Sequence, residues 1–473
     1  MLKLIVGSVW SKIHGDLDKS VKDALDQELS FEIENSRFIA PFMWEGWDGR
    51  VKLFQRREQA FRSGLARRAH ALLQELEIPH EVELRLPQYE FSHVFPFHGE
   101  LRDYQQASLD TLYKTRRGIL WSVPRSGKTV IAAALISKLG WSHNLFICES
   151  LDIAYQTKRL FERALGASVG VIGDGRVETA PITVATIQTL LQAYDIKNDE
   201  TVEQVEARLE AKEPVRRYVE SAQLVICDEA HHCAAQSYQQ VSMNFTAAGR
   251  IYGLSGTPWR MDQADLLMEA VCGPIVYQVS YGDLIQRGFL VPPVICFQHV
   301  SPQKYPSNVH YQTIYKDYIV RNHERNAAIV DFVQRMEGKG MSTLVLVDQI
   351  NHGEALRKVL RAPFLQGKVE SAERIRTLDE LRSKKILTVV TTLGDEGLDI
   401  PSLDGEVIAS GGLSSARALQ RLRAMTAHPG KKRCYVLDFF DNAKYLSRHS
   451  KARLQLYHSI PDFTVIEQRL SGS

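Results

Sequence analysis

The apolar run GILWSV leads into Pro124-Arg125-Ser126-Gly127-Lys128-Thr129, and the following TVIAAALI is strongly helical in character. A strand, a tight turn and a helix opening at Gly127 gather free backbone N–H groups and the positive helix end at one point, which suits a triphosphate. Lys128 would reach the β- and γ-phosphates, Thr129 would hold Mg²⁺, and Ser126 and Gly127 would line the loop. Ser122 stands where the first glycine of the GxxxxGKT pattern belongs, and Arg125 sits inside the loop. Further along, the apolar LVIC ends in Asp228-Glu229-Ala230-His231. Paired carboxylates at a strand end give one acid to a metal's coordination sphere and one to orient an attacking water. Asp228 takes the first role here and Glu229 the second. His231 and His232 have no third spaced ligand, so they do not read as a metal site; His231 instead would couple the acid pair to the next motif. That motif is IYGLSGTP, where Ser255 and Thr257 at a strand tip can relay hydrogen bonds. Alone it would be an ordinary turn.

The elements that must position these groups are legible as a rhythm. From Phe97 to about Cys272, short strands that are apolar throughout (GILWSV, NLFICES, PITVATI, QLVICDEA, RIYGLSGT) alternate with helical stretches. Such strands imply a parallel sheet covered on both faces. The charged segment between Leu190 and Ser221 reads as a solvated helical insertion. After the Pro292-Pro293 break the alternation resumes: helix RNHERNAAIVDFVQRM, strand STLVLVDQ, then further pairs as far as KRCYVLDFF, without a second phosphate loop. Two similar lobes with one loop suggest a nucleotide held between them. The expected boundaries are an N-terminal domain at 1–95, a first lobe at 96–272, a linker at 273–295 and a second lobe at 296–473.

Residues 1–95 read as a small α+β unit. FIAPFMWEGWDGRVKLF suggests two strands about an Asp48-Gly49 turn, and RREQAFRSGLARRAHALLQEL changes to helical spacing. Arg50, Lys52, Arg56, Arg57, Arg62, Arg67 and Arg68 face only Glu58 in this stretch, with Trp44, Trp47, Phe54 and Phe61 interleaved. Clustered positive charge is what counterion release from a nucleic-acid backbone needs. Arg56, Arg57, Arg67 and Arg68 are therefore the candidate phosphate contacts.

The whole chain, 473 residues with 58 Lys+Arg against 56 Asp+Glu, carries a net charge of only +2, so any basic surface must be local. Its 44% hydrophobic and 24% charged residues exclude wholesale disorder and a small stapled scaffold. The six cysteines contain no CxxC pair and sit in apolar runs, which reads as reduced core residues. No stretch approaches roughly 18 uncharged apolar residues, and the start is too short in apolar character for a secretory signal. A cytoplasmic protein with no membrane contact is expected, in the host cytoplasm if phage-encoded.

Taken in order, LRDYQ, PRSGKT, FICESLDIAYQ, TVATIQTL, CDEAH, LSGTP, LVLVDQ, TTLGDEGLDIP and ALQRLRAM resemble the motif series of superfamily 2 helicases and translocases, from residue 101 to about 427. Within that group the basic N-terminal domain and the YGDLIQRGFLVPP joint look most like the bacteriophage branch-migration helicases of the UvsW type, with RecG and XPB more distant. The resemblance implies an α/β fold of two RecA-like parallel-sheet lobes and an ATP-dependent DNA helicase using ATP and Mg²⁺. The implied substrate is duplex, forked or branched DNA, and the implied state a monomer. It implies adenine recognition by Arg102 and Gln105. It also implies strand-gripping loops at Ser150, Gln156, Thr186, Gln188, Gln349, Thr391 and Thr392, and a link from that grip to the nucleotide at Gly397 and Asp399. The last motif departs from the usual QRxGRxxR: Gln420-Arg421-Leu422-Arg423-Ala424 lacks the glycine and the final arginine. A cation on the γ-phosphate is worth roughly 10³ to 10⁵ in rate, and Arg421 and Arg423 are its candidates. Alternatives in the same class are an RNA helicase and a restriction-type motor subunit. From a different class comes a non-catalytic, ATP-gated nucleic-acid clamp.

Overall fold

The computed structural model describes residues 2–33, 48–194, 210–256, 265–306, 308–393 and 400–469. The chain divides into two compact units, Met1–Val279 and Ser280–Ser473. No described helix is long and apolar enough to cross a membrane.

In the first unit an eight-stranded sheet runs in the order Arg176–Glu178, Val169–Gly173, Ile182–Thr186, Asn144–Cys148, Leu224–Cys227, Arg250–Ser255, Arg117–Ser122, Ile275–Val279. All neighbours are parallel except the first pair. The central strands are buried on both faces, as their unbroken apolar sequences require. One core layer holds Leu120, Ile131, Phe146, Phe161 and Ile226; the opposite layer holds Ile119, Leu145, Val225, Tyr238 and Phe245. The second unit has seven parallel strands in the order Phe364–Leu365, Thr388–Thr391, Thr343–Leu346, Gly405–Ile408, Cys434–Phe440, Pro293–His299, Thr464–Arg469. This is the α/β architecture of two parallel-sheet lobes that the alternation predicts.

The N-terminal region forms a five-stranded sheet, Phe54–Gln55, Ala60–Arg62, Trp10–His14, Leu2–Val6, His80–Leu84, with helices Lys19–Glu28 and Ala66–Glu75. It is not a separate body. Its core of Leu4, Ile13, Leu25, Phe61, Leu65 and Leu73 closes over Leu266 and Ala270 of the helix Asp265–Cys272, which belongs to the large sheet. Gly64 lies so close to that helix that a Cβ there would stand 1.9 Å from the Glu269 carbonyl oxygen. Arg62 reaches across to Ser242 Oγ at 2.9 Å, and Arg68 to Glu269 at 2.7 Å.

Three segments differ from the sequence expectation. The stretch from Arg56 does not start a helix: Phe54–Gln55 and Ala60–Arg62 pair as a hairpin turned at Gln59, whose φ is 50°, and the helix begins at Ala66. The expected linker 273–295 is built into both sheets. Ile275–Val279 is an edge strand of the first, Ser280 and Asp283 form a capping box on helix Tyr281–Gln286, and Pro293 opens a strand of the second. Proline is tolerated at a strand's first residue, so Pro292-Pro293 marks a strand start, not a break. In the charged insertion, helix Glu213–Ser221 is anchored by buried Val215, Tyr218 and Val219. Arg50–Lys52 pairs with Ser30–Glu32 next to a turn at Gly49, whose φ is 76°, while Trp44 and Trp47 lie outside the described residues.

Candidate active site

Three neighbouring strands of the first sheet, Leu224–Cys227, Arg250–Ser255 and Arg117–Ser122, run parallel, so their carboxyl ends lie side by side. Ligands of open α/β sheets bind at that edge. Beyond Ser122 the chain turns through Arg125, at φ 69°, and Gly127, at φ 82°, into helix Lys128–Leu139. Positive φ at Gly127 costs little, and the absent side chain matters too, because a Cβ would meet Gln105 Nε2 at 2.4 Å. Lys128 Nζ donates to the Ser122 carbonyl at 3.2 Å and stands 4.0 Å from Glu229 Oε1. Thr129 follows in the helix's first turn, half-buried.

Glu229 also has positive φ, 43°, a conformation that a non-glycine residue holds only where its surroundings impose it. Burial pushes the Asp228 carboxyl up, and the charge of Glu229 adds to this. For Glu229 the same burial is outweighed by Lys128 and His231, which hold its carboxyl well below the usual range. His231 Nδ1 stands 3.3 Å from Glu229 Oε2 and 3.3 Å from Ser255 Oγ, between the acid pair and the adjacent strand tip. His232 pairs instead with Glu149 at 2.9 Å.

Gln105 and Ser126 join this group in a way the sequence did not indicate. Gln105 Oε1 accepts from the Arg102 N–H at 3.0 Å, and Nε2 donates to the Ser126 carbonyl at 2.9 Å. The Tyr104 hydroxyl donates to the same carbonyl at 2.9 Å. The helix Asp103–Lys114 thereby holds the phosphate loop, and the Gln105 amide expected on the adenine is engaged at both ends. Arg102 is exposed, its Nη1 3.2 Å from the Tyr104 hydroxyl. Tyr104 and Glu149 were missed by sequence reasoning; the place of Glu149, directly after strand Asn144–Cys148, was the available signal.

The loop fits a triphosphate with its metal. Ser126 Oγ and Ser122 Oγ are buried without hydrogen-bond partners in the protein. The Thr129 hydroxyl and the Asp228 carboxylate are hard oxygen donors of the kind Mg²⁺ takes. Bound there, Mg²⁺ would neutralise charge on the phosphate oxygens.

The expected strand-gripping residues of the first unit lie at the same sheet edge. Ser150 caps helix Leu151–Leu165, its Oγ accepting from the Ile153 N–H at 3.3 Å. Thr186 ends its strand but is buried, its hydroxyl 2.9 Å from that of Thr189. Gln156 and Gln188 are exposed on the helices that follow. In the second unit Gln349 directly precedes helix Ile350–Leu360, Thr391 is buried with its Oγ1 accepting from the Leu393 N–H at 2.9 Å, and Thr392 is half-buried. Thr257, Gly397 and Asp399 lie outside the described residues.

Arg421 and Arg423 are both buried within the second unit. Arg421 donates to Ser410 Oγ at 2.7 Å and to Asp348 at 3.0 Å, while the Arg423 N–H donates to buried Glu406 at 2.7 Å. Gln420 is half-buried beside them. In the N-terminal region, Arg56 pairs with Asp23 and Asp26 and Arg68 with Glu28 and Glu269. Arg57 and Arg67 are exposed and form no ion pair among the described residues.

Residues 98–260 match the family described as type III restriction enzyme, res subunit. The Halobacterium salinarum putative DNA 3'-5' helicase Rad25 is 27% identical over 71% of this chain and 53% of its own length. The Sulfurisphaera tokodaii DNA 3'-5' translocase XPB2 is 23% identical over 68% of this chain and 77% of its own. These matches liken the chain to proteins named as DNA helicases and translocases. It spans about half the length of the first curated relatives it matches. Among solved structures, the DNA-bound type ISP restriction-modification enzyme LlaBIII superposes with TM-score 0.56 at 15% identity, over 80% of this chain and 32% of that one. T4 UvsW aligns over 99% of both chains at 19% identity with TM-score 0.46.

Proposed function

We propose that this chain is a superfamily 2 ATP-dependent DNA translocase that remodels branched DNA, forks or Holliday junctions, by coupling ATP hydrolysis to movement along a sugar-phosphate backbone. One observation carries the ATPase reading: the phosphate loop, the Asp228-Glu229 pair and the Ser255 tip stand on three adjacent parallel strand ends, with Lys128 4.0 Å from Glu229. Lys128 holds the phosphates, Thr129 and Asp228 hold Mg²⁺, and Glu229, kept ionised by Lys128 and His231, orients the attacking water. His231 passes the state of Glu229 to Ser255. Arg421 or Arg423 supplies the further cation that turnover needs. Phosphate contacts carry no base information, so the motor acts on structure and polarity rather than on sequence.

The names of the relatives, DNA helicases and a DNA translocase, favour DNA over RNA. The assignment to branched DNA rests on the motif resemblance and on exposed Arg57 and Arg67 in the N-terminal domain. A restriction-type motor subunit is the second reading, favoured by the res-subunit match over residues 98–260.

The deciding experiment measures ATP turnover alone and with forked duplex, Holliday junction and RNA duplex, and strand separation or branch movement on each. DNA-stimulated turnover that is lost in Lys128→Ala and Glu229→Gln, with branched DNA the best substrate, is expected. Wild-type protein that binds ATP but never hydrolyses it would instead make the chain a clamp. Comparing Arg421→Ala with Arg423→Ala identifies the cation, the true one costing about 10³ in turnover.

A further inference from the structure

Three cysteines far apart in sequence converge directly behind the acid pair. Cys227 ends the strand Leu224–Cys227 one residue before Asp228, Cys233 lies in the turn Ala230–Ala234, and Cys272 ends the helix Asp265–Cys272. All are wholly buried and free of disulfides, and their Sγ atoms lie within 4.8 Å of one another. Cys272 and Cys233 stand 3.7 Å apart. That is far beyond a disulfide bond. Two thiolates bound tetrahedrally to one zinc at about 2.3 Å stand about 3.8 Å apart. Gly253 on the neighbouring strand keeps the space open, since a Cβ there would fall 3.1 Å from Cys272 Sγ and 2.6 Å from Ala230 Cβ.

The surroundings ask for a group of this kind. The Tyr238 hydroxyl is fully buried and has no hydrogen-bond partner among the described residues. Buried Arg62 and half-buried Arg117 lie nearby with no carboxylate partner among the described residues: Arg117 donates to the carbonyls of Val271 and Ser8, and Arg62 to Ser242 Oγ and Met243 Sδ. The Val271 acceptor of Arg117 directly precedes Cys272. Buried cations require an anionic partner. Three thiolates on a divalent ion carry one net negative charge, which supplies it.

We infer that Cys227, Cys233 and Cys272 form a buried zinc site. Zinc entry releases the three thiol protons to solvent, and no redox change is involved. Soft thiolates select zinc over Mg²⁺, so the site does not compete with the nucleotide's metal. All three ligands are wholly buried and none belongs to the nucleotide site, so the ion is structural. It staples the strand that carries Asp228 to the helix under which the N-terminal core closes.

The test is the metal content of full-length wild-type protein from zinc-supplemented cells, after desalting without chelator. About one zinc per chain is expected, held until a mercurial reagent displaces it into a colorimetric indicator. Cobalt substitution should give thiolate-to-metal charge-transfer absorption. Cys233→Ser and Cys272→Ser should lower the content at least about tenfold, and Cys296→Ser, half-buried in the other unit, should leave it unchanged. Folded, ATP-binding wild type with background zinc after equilibration against a zinc buffer would overturn the inference, and so would a disulfide between any two of the three by mass spectrometry. The wild-type measurement decides even if the serine variants fail to fold. A zinc-free result would leave the motor proposal standing, because ATP turnover is read separately.

Discussion

Gln105, expected at the adenine, has its amide engaged at both ends by the chain itself. Its place in LRDYQ, before the phosphate loop, is a local pattern and therefore legible; its partner, the Ser126 carbonyl, lies 21 residues on and depends on how helix Asp103–Lys114 docks. Gln105→Ala would leave the buried Ser126 carbonyl with Tyr104 alone and orphan the Arg102 N–H, costing about 1–2 kcal/mol. KM should rise alike for ATP and GTP, because the lost bonds hold the loop and not the base. A rise confined to ATP would return the amide to adenine recognition. The arginines of the last motif follow the same rule: their spacing is visible, yet Asp348, the carboxylate that holds Arg421, is 73 residues away. His352 was hidden for another reason, since burial is a tertiary property. Its ring is enclosed, with Nε2 2.9 Å from Asn326 Oδ1, and burial, helped by Arg325, depresses its pKa to about 3. The unfolded chain protonates this histidine near 6.5, so the contribution is fully present above that pH and drains away as pH falls from 6.5 towards 3. Urea midpoints measured across that window should fall by the equivalent of about 1.4 kcal/mol per pH unit for this group, and His352→Gln should flatten that limb.

Elements were legible where their periodicity was unambiguous. The doubly buried strands NLFIC, LVIC and TLVL announce a parallel sheet because no polar position interrupts them. RREQAFRSGL was misread because arginine-rich stretches satisfy helical spacing equally well, and the hairpin there is set by a left-handed Gln59 that periodicity does not report. The separate N-terminal domain was likewise an inference from a change in composition, whereas its core closes over Leu266 and Ala270, some 200 residues downstream. Gly64 is the tightest point of that joint, facing the carbonyl oxygens of Glu269 and Ala270. Both obstacles are backbone, so Gly64→Ala must displace one element from the other at a cost of about 1–3 kcal/mol. Calorimetry should then show the N-terminal sheet melting ahead of the large sheet, where wild type melts in one step. An unchanged single transition would mean that the joint contributes little.

For the molecule as a whole, the near-zero net charge makes the placement of cations matter more than their number. The basic stretch from Arg50 to Arg68 reads as one phosphate-tracking surface, but the fold divides it. Arg62 is buried against Ser242, Arg56 and Arg68 sit in ion pairs, and Lys52 pairs with Asp48. Asp23, Asp26 and Glu28 of helix Lys19–Glu28 and the distant Glu269 neutralise Arg56 and Arg68, and neither distance nor orientation is visible in the sequence. Exposed Arg57 and Arg67 are the arginines of this stretch left as candidates for the proposed DNA contact. Each phosphate contact removed lowers the slope of log affinity against log salt by about 0.9 on duplex DNA. Arg57→Ala with Arg67→Ala should therefore flatten the slope for forked duplex by about 1.8, with melting temperature unchanged, because neither side chain is packed. Arg56→Ala with Arg68→Ala should do the reverse, changing the slope little and lowering the melting temperature, since it strips partners from Asp23, Asp26, Glu28 and Glu269. Binding measured from low to moderate salt separates the two pairs, and equal slopes in wild type and both double variants would move the DNA path off this domain altogether.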